Sequence, residues 1–143
     1  MLAALFGLVV FVFPLVLMPG VDPPSEFRAG SLSMVVPLVN HNPFTPLTEV
    51  EYSCEIWKVT LANGDDLTDA NVLVRGTLSR FEGRRPLNVR CETAYTVNAP
   101  IRAAEYRLTL SYRVYPWPQY RTAVYRIAAQ VDGEGRVTGW ELN

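Results

Sequence analysis

The chain has 143 residues, of which 49% are hydrophobic and 19% charged, and its formal net charge is −1 at pH 7. This balance gives no long-range field that would attract nucleic acid or acidic lipids, so we expect no nucleic-acid partner. Two cysteines and one histidine form a poor ligand set. We therefore predict no metal site, no cofactor and no catalytic residues.

An uncharged segment, residues 1–18, opens the chain and is dominated by leucine, valine and phenylalanine. As a helix it would be about 27 Å long, close to the hydrocarbon thickness of a bilayer. Residues 1–20 are therefore predicted to be a transmembrane anchor, in which Pro14 is tolerated as a kink. A cleaved secretory signal is the alternative, but no Lys or Arg precedes the apolar run and no small-x-small cleavage site ends it.

The residues after the anchor divide into a linker and one domain. Residues 21–31 are rich in Pro, Gly and Ser, which favours an extended linker that lifts the domain off the bilayer. Residues 32–143 have the size of a single domain. Its first apolar run, Leu32–Asn40, contains Pro37, and we predict an edge strand there because proline cannot donate to a central ladder.

Period-two alternation of apolar and polar residues predicts half-buried strands, most clearly at 49–56 and 106–114. Further strands are predicted at 72–81, 87–93, 120–131 and 136–142. Short strands separated by Pro- and Gly-containing turns, with no sustained helical spacing after residue 20, are typical of a sandwich. The predicted fold is all-β: an antiparallel immunoglobulin-like β-sandwich preceded by one N-terminal transmembrane helix. A closed small barrel is the alternative.

The two cysteines both fall in predicted strands, and Cys54 lies on the apolar face of its strand. We predict a disulfide between Cys54 and Cys91, a bond that persists in oxidising compartments. The alternative is a pair of buried free thiols that act as small apolar side chains. A disulfide would place the domain outside the cytoplasm, in the periplasm or at the cell surface.

An aromatic loop joins the last two long strands, with the sequence Val-Tyr-Pro-Trp-Pro-Gln-Tyr at 114–120. Exposed aromatic side chains on a loop stiffened by proline are good contact anchors, so Tyr115, Trp117 and Tyr120 are the candidate binding residues. Two alternatives stay open. Trp117 folds back over the core, or the loop faces the bilayer, where Trp and Tyr favour the interface.

Other residues whose side chains could act in catalysis or binding are assigned structural roles. His41 lies in a Pro-rich turn and is predicted to be exposed and not catalytic. Trp57 and Trp140 are predicted to pack against the sheet. Paired carboxylates such as Glu49 and Glu51 lie on the polar face of a strand, where solvation explains them.

Several short stretches resemble small bacterial membrane-anchored proteins in which an apolar N-terminal helix precedes an immunoglobulin-like domain. The stretches are Asn40-His41-Asn42-Pro43-Phe44, Pro46-Leu47, Val50-Glu51-Tyr52-Ser53-Cys54, Tyr112 and Pro116-Trp117-Pro118. This resemblance implies an architecture and no activity. The Asn-x-Asn-Pro-Phe stretch is also similar to WHy-type sandwich domains of desiccation-response proteins, but the rest of that pattern is not evident here.

Together these features predict a membrane-anchored extracytoplasmic module that is not an enzyme. Its expected partners are the membrane, through the N-terminal helix, and a protein of the cell envelope that contacts the aromatic loop. One alternative is a ligand carrier or enzyme with a polar site near His41. Another is a subunit of an oligomeric surface assembly, with the strand around Pro37 accepting a neighbouring chain.

Overall fold

A computed structural model describes residues 19–24, 26–27, 31–42, 44–67, 73–83, 85–92 and 98–143, so the predicted anchor at 1–18 lies outside the described part. No helix of the described part is long and apolar enough to span a membrane. The strands of the described part are β1 (Gly20–Val21), β2 (Glu26–Phe27), β3 (Met34–Val39), β4 (Leu47–Leu61), β5 (Asp66–Leu67), β6 (Leu73–Phe81), β7 (Leu87–Cys91), β8 (Ile101–Val114), β9 (Tyr120–Val131) and β10 (Val137–Leu142).

The strands form two antiparallel sheets. In the smaller sheet β3 is central, with β7 along one side and the short β1 and β2 end to end along the other. In the larger sheet the order is β10, β9, β8 and β4, and the far side of β4 pairs with both β5 and β6. The predicted all-β, antiparallel fold is confirmed at this level.

One hydrophobic core lies between the sheets. Alternate residues of β8 point into it, including the fully buried Tyr106, Leu108 and Leu110. Burying a side chain of this size stabilises the fold by about 2 kcal/mol, so strict alternation along the strand sets its register. The Tyr106 hydroxyl donates a hydrogen bond to the Leu32 carbonyl, at 2.8 Å, which satisfies the polar tip inside the core.

The predicted edge position of Pro37 is wrong. Strand β3 is paired on both sides. The Pro37 carbonyl accepts the Asp22 amide at 3.0 Å, so the nitrogen of Pro37, which carries no hydrogen, faces the same neighbour. That neighbour is interrupted between β1 and β2, where no ladder hydrogen bond is required. An interrupted partner strand therefore makes proline compatible with a central strand.

Part of the predicted linker pairs with the domain. Within residues 21–31, Val21 pairs with Leu38, and Glu26 and Phe27 pair with Val35 and Met34. The described part of this segment thus lies along β3 as an edge of the smaller sheet. The division of the whole chain into anchor, linker and domain stays a prediction.

A disulfide joins the two sheets. Cys54 lies in β4 and Cys91 in β7, with 5.7 Å between their Cα atoms, and both side chains are buried in the core. The structure places the two cysteines at disulfide distance, as the sequence predicts. The crosslink joins the middle of β4 to the last residue of β7 and so holds the two sheets together.

Candidate contact site

The loop between β8 and β9 is a tight turn. The amide of Trp117 donates to the Val114 carbonyl at 2.7 Å, across a cis peptide bond between Tyr115 and Pro116. The amide of Tyr115 donates to the Pro46 carbonyl at 3.3 Å. The loop is thereby closed on itself and tied to the turn that precedes β4.

This turn presents the three predicted binding residues at the surface. Tyr115, Trp117 and Tyr120 are 63%, 41% and 51% exposed. Trp117 does not belong to the buried core, although it keeps contacts with the protein. The loop therefore offers aromatic surface to a contact outside the domain.

A bulge in β4 orients Tyr120. The register between β4 and β8 shifts by one residue at Glu49 and Val50, and Glu49 adopts a positive φ of 49°. The Glu49 carboxylate accepts hydrogen bonds from the Tyr120 hydroxyl and from Arg113 Nη1, the latter at 2.9 Å. The Arg113 guanidinium also lies 4.1 Å from the centre of the Tyr120 ring. The hydroxyl and one face of the Tyr120 ring are therefore both fixed by contacts with neighbouring side chains.

This geometry changes the acidity of Tyr120. The hydrogen bond to Glu49 raises the pKa of the Tyr120 hydroxyl, because the carboxylate favours its protonated form. Alternation in the sequence places Glu49 on a solvated strand face, and no pattern there marks a bulge. The contribution of Glu49 and Arg113 could not be read from spacing alone.

Phe44 is a fourth exposed aromatic residue, and nothing in the sequence pattern marks it as a binding residue. It lies in the turn between β3 and β4 and is 92% exposed. Asn42 Oδ1 accepts the amides of Phe44 and Thr45, at 2.9 and 3.2 Å. The buried Asn40 donates to the Thr45 carbonyl, at 3.0 Å, so side-chain amides fix the turn and leave Phe44 at its tip.

The two turns and the entry of the chain lie at one end of the sandwich. Gly20 pairs with Val39 at the end of β3, and a side chain at Gly20 would overlap with the ring of His41 in the next turn. The same turn receives the Tyr115 amide at Pro46. We call this end, with its exposed Phe44, Tyr115, Trp117 and Tyr120, the aromatic end.

The opposite end is polar. It is formed by the turns at 62–65, 98–100 and 132–136, which are linked by hydrogen bonds from Ala62 to Pro100 and from Ile101 to Gly135. Exposed side chains there include Asn63, Asp65, Asp132, Glu134 and Arg136. We call this the polar end.

The other two tryptophans differ in burial. Trp140 is buried, as predicted, and packs edge-on against Tyr106 with 5.2 Å between ring centres. The predicted packing of Trp57 is wrong, since it lies half exposed on the outer face of the larger sheet. It sits at a second bulge of β4 and is covered by the Arg107 guanidinium, 3.3 Å from the ring centre.

Two of the shallow grooves in the described part of the chain are lined by residues other than His41. One, of about 520 Å³, lies between β6 and β7 and is lined by Leu78, Arg80, Phe81, Glu82, Arg85, Pro86 and Leu87. The other, of about 230 Å³, lies at the polar end beside Pro100 and Gly135. Among the described residues, no cluster of three or more His, Cys, Asp or Glu side chains forms a metal site.

We found no protein family that matches the chain and no curated protein that is similar to it.

Proposed function

We propose that this protein is a membrane-anchored immunoglobulin-like β-sandwich of the cell envelope that acts by binding and not by catalysis. The aromatic end is its contact surface. The observation that carries this proposal is the concentration of four exposed aromatic side chains, from two different turns, at one end of the domain. Aromatic side chains held on short turns lose little conformational freedom when they are buried by a partner.

The order of the strands supports the finer assignment of the fold. The chain crosses between the sheets from β3 to β4, from β6 to β7 and from β7 to β8. Three crossings between the sheets suit an immunoglobulin-like Greek key, in which the chain also passes repeatedly from one sheet to the other, with β10 as an additional edge strand. The inter-sheet disulfide here joins β4 and β7.

Two features support the proposed location. Residues 1–18 carry no charge, which suits a membrane span, and the chain reaches the first strand at Gly20 immediately afterwards. The Cys54–Cys91 crosslink suits an oxidising space. Thiol alkylation in intact membranes tests the location: an extracytoplasmic domain reacts only after reduction under denaturing conditions, whereas a cytoplasmic one reacts after denaturation alone.

Site-specific photo-crosslinking tests the contact surface. A photoreactive phenylalanine analogue replaces Trp117 in the full chain in native membranes, with the same analogue at Glu134, at the polar end, as the matched control. We expect adducts at position 117 and none at 134. Equal adducts at both positions, or none at either, would remove the aromatic end as the contact surface.

Substitution gives a second test. Trp117→Ala should weaken the association of the domain with its membrane-bound contact without unfolding it, because the side chain lies outside the core. Trp57→Ala is the matched control, since Trp57 is exposed on a different face. An association that Trp57→Ala weakens as much as Trp117→Ala would contradict the assignment.

A further inference from the structure

We infer that the partner of the aromatic end is the bilayer itself, so that Phe44, Tyr115, Trp117 and Tyr120 rest in its interfacial layer. This inference rests on the proposed function, because it requires residues 1–18 to hold the domain at the membrane. It adds to that proposal the chemical class of the contact, namely zwitterionic lipid headgroups and the first carbons of the acyl chains.

The entry of the chain supplies the first argument. Gly20 is already paired with Val39, and the Pro19 carbonyl accepts a hydrogen bond from the Tyr125 hydroxyl. Burial raises the pKa of Tyr125 to about 12, so this hydroxyl remains a donor at neutral pH. The domain thus begins at the residue after the apolar segment, with no free spacer between them. The end of the sandwich at which Gly20 enters is therefore held against the membrane surface.

The chemistry of the side chains supplies the second argument. Trp and Tyr concentrate at membrane–water interfaces, where the ring is apolar and the polar tip stays hydrated. Phe44 has no polar tip and is 92% exposed, which fits burial at the acyl boundary better than contact with water. The Tyr120 hydroxyl is already bonded to Glu49, and Arg113 pairs with that carboxylate, so the group approaches lipid without an uncompensated charge.

The charges at this end favour an apolar contact over an electrostatic one. The described charged side chains near the turns at 40–46, 82–86 and 115–119 are mixed in sign, and they include Asp22, Glu49, Glu51, Glu82, Arg80, Arg85, Arg113 and Arg121, with the imidazole of His41 beside them. Arg80 is already paired with Glu82 at 2.8 Å. A polybasic surface would require anionic lipid, whereas this one does not. The predicted contact therefore forms on phosphatidylcholine alone and persists in high salt.

Quenching of tryptophan fluorescence by brominated lipid tests the inference. The full chain, carrying Trp57→Phe, is reconstituted into phosphatidylcholine vesicles whose acyl chains are brominated close to the headgroups. Only Trp117 and the core residue Trp140 then emit. We expect bromolipid to remove most of the Trp117 emission and to leave that of Trp140. A matched variant carries Trp57→Phe, Trp117→Phe and Glu134→Trp, which moves the probe to the polar end, and it should lose nothing to bromolipid.

The outcomes distinguish the lipid contact from the proposed function. Quenching of Trp117 but not of a tryptophan at position 134 supports the lipid contact. Equal or absent quenching at the two positions overturns it. In that case, photo-crosslinking from position 117 to a protein in native membranes leaves the proposed function standing with a protein partner. Absence of both signals rejects both proposals, and circular dichroism of the variants confirms that they are folded.

Discussion

At the aromatic end, the turn between β3 and β4 is held by the side chains of Asn40 and Asn42, whereas at the polar end Asp132 holds the β9–β10 hairpin in a similar way. Asp132 Oδ1 accepts the amides of Glu134 and Arg136, both at 2.9 Å. The turn chemistry is therefore alike, but one turn exposes Phe44 and the other exposes charged side chains. Since both surfaces are compatible with the same kind of turn, the aromatic tips are not a requirement of folding.

The two ends also differ in how deeply their supporting side chains are buried. Asn40 is 1% exposed and donates to the carbonyls of Thr45, in the β3–β4 turn, and of Phe81, at the end of β6. Asn63 and Asp132 are exposed and bond only within their own turns. A buried side chain thus supports the turn at the aromatic end, whereas the side chains that hold the turns at the polar end are exposed and local.

Removal of the crosslink between the sheets should have the largest effect and should not distinguish the two ends. The loop closed by Cys54 and Cys91 spans 37 residues, so the double variant Cys54→Ala/Cys91→Ala should lose about 4 kcal/mol of unfolding free energy. Urea denaturation measures this loss, and reduced wild-type protein is the control. An unchanged midpoint in both would show that the disulfide does not contribute to stability.

Removal of the side chain that supports each turn should destabilise the protein more at the aromatic end than at the polar end. Asn40→Ala leaves the buried Phe81 carbonyl and the Thr45 carbonyl without this donor. It should lower the free energy of unfolding by about 2 kcal/mol. Asn63→Ala, the matched change at the polar end, affects exposed groups and should cost less than about 0.5 kcal/mol. Urea denaturation of the two variants gives the comparison. Equal losses would contradict the difference in burial on which it rests.

The bulge at Glu49 should reverse the usual preference for alanine over glycine. Glu49 has a φ of 49°, a region that costs a residue with a Cβ about 1 kcal/mol and glycine almost nothing. Glu49→Gly should therefore be more stable than Glu49→Ala by about 1 kcal/mol. Two residues along, Glu51 lies in regular strand, so Glu51→Gly should be less stable than Glu51→Ala. Thermal unfolding of the four variants checks the sign, and the same order at both positions would contradict the bulge.

Residues that obey alternation were predictable, and those that depend on a neighbouring strand were not. The pattern around Tyr106 and Cys54 places both side chains in the core because period two is a local property. The sequence places Pro37 at an edge because the interruption of its partner strand is visible only in three dimensions. The aromatic and proline residues of the loop at 114–120 point to Tyr115, Trp117 and Tyr120. Phe44 joins them because two distant turns meet at one end, which no spacing encodes.

Titration should reveal the last and smallest difference between the ends. The pKa of Tyr120 is raised by Glu49, so their hydrogen bond is fully present below about pH 10 and is lost as the pH rises through the raised value. The pKa of Asp132 is lowered, chiefly by the Arg136 amide, so its contribution is present above about pH 4 and is lost as the pH falls through the lowered value. The aromatic end should therefore loosen in alkali and the polar end in acid.

Glu49→Gln tests the alkaline half of this comparison, because it removes the carboxylate that raises the pKa of Tyr120. We expect the Tyr120 pKa, followed by NMR of labelled tyrosine, to fall towards its ordinary value, while Glu134→Gln at the polar end leaves it unchanged. A Tyr120 pKa that is the same in Glu49→Gln and in the wild type would mean that the bulge does not hold the ring. The two ends would then differ in the residues that they expose and not in how strongly contacts within the protein fix those side chains.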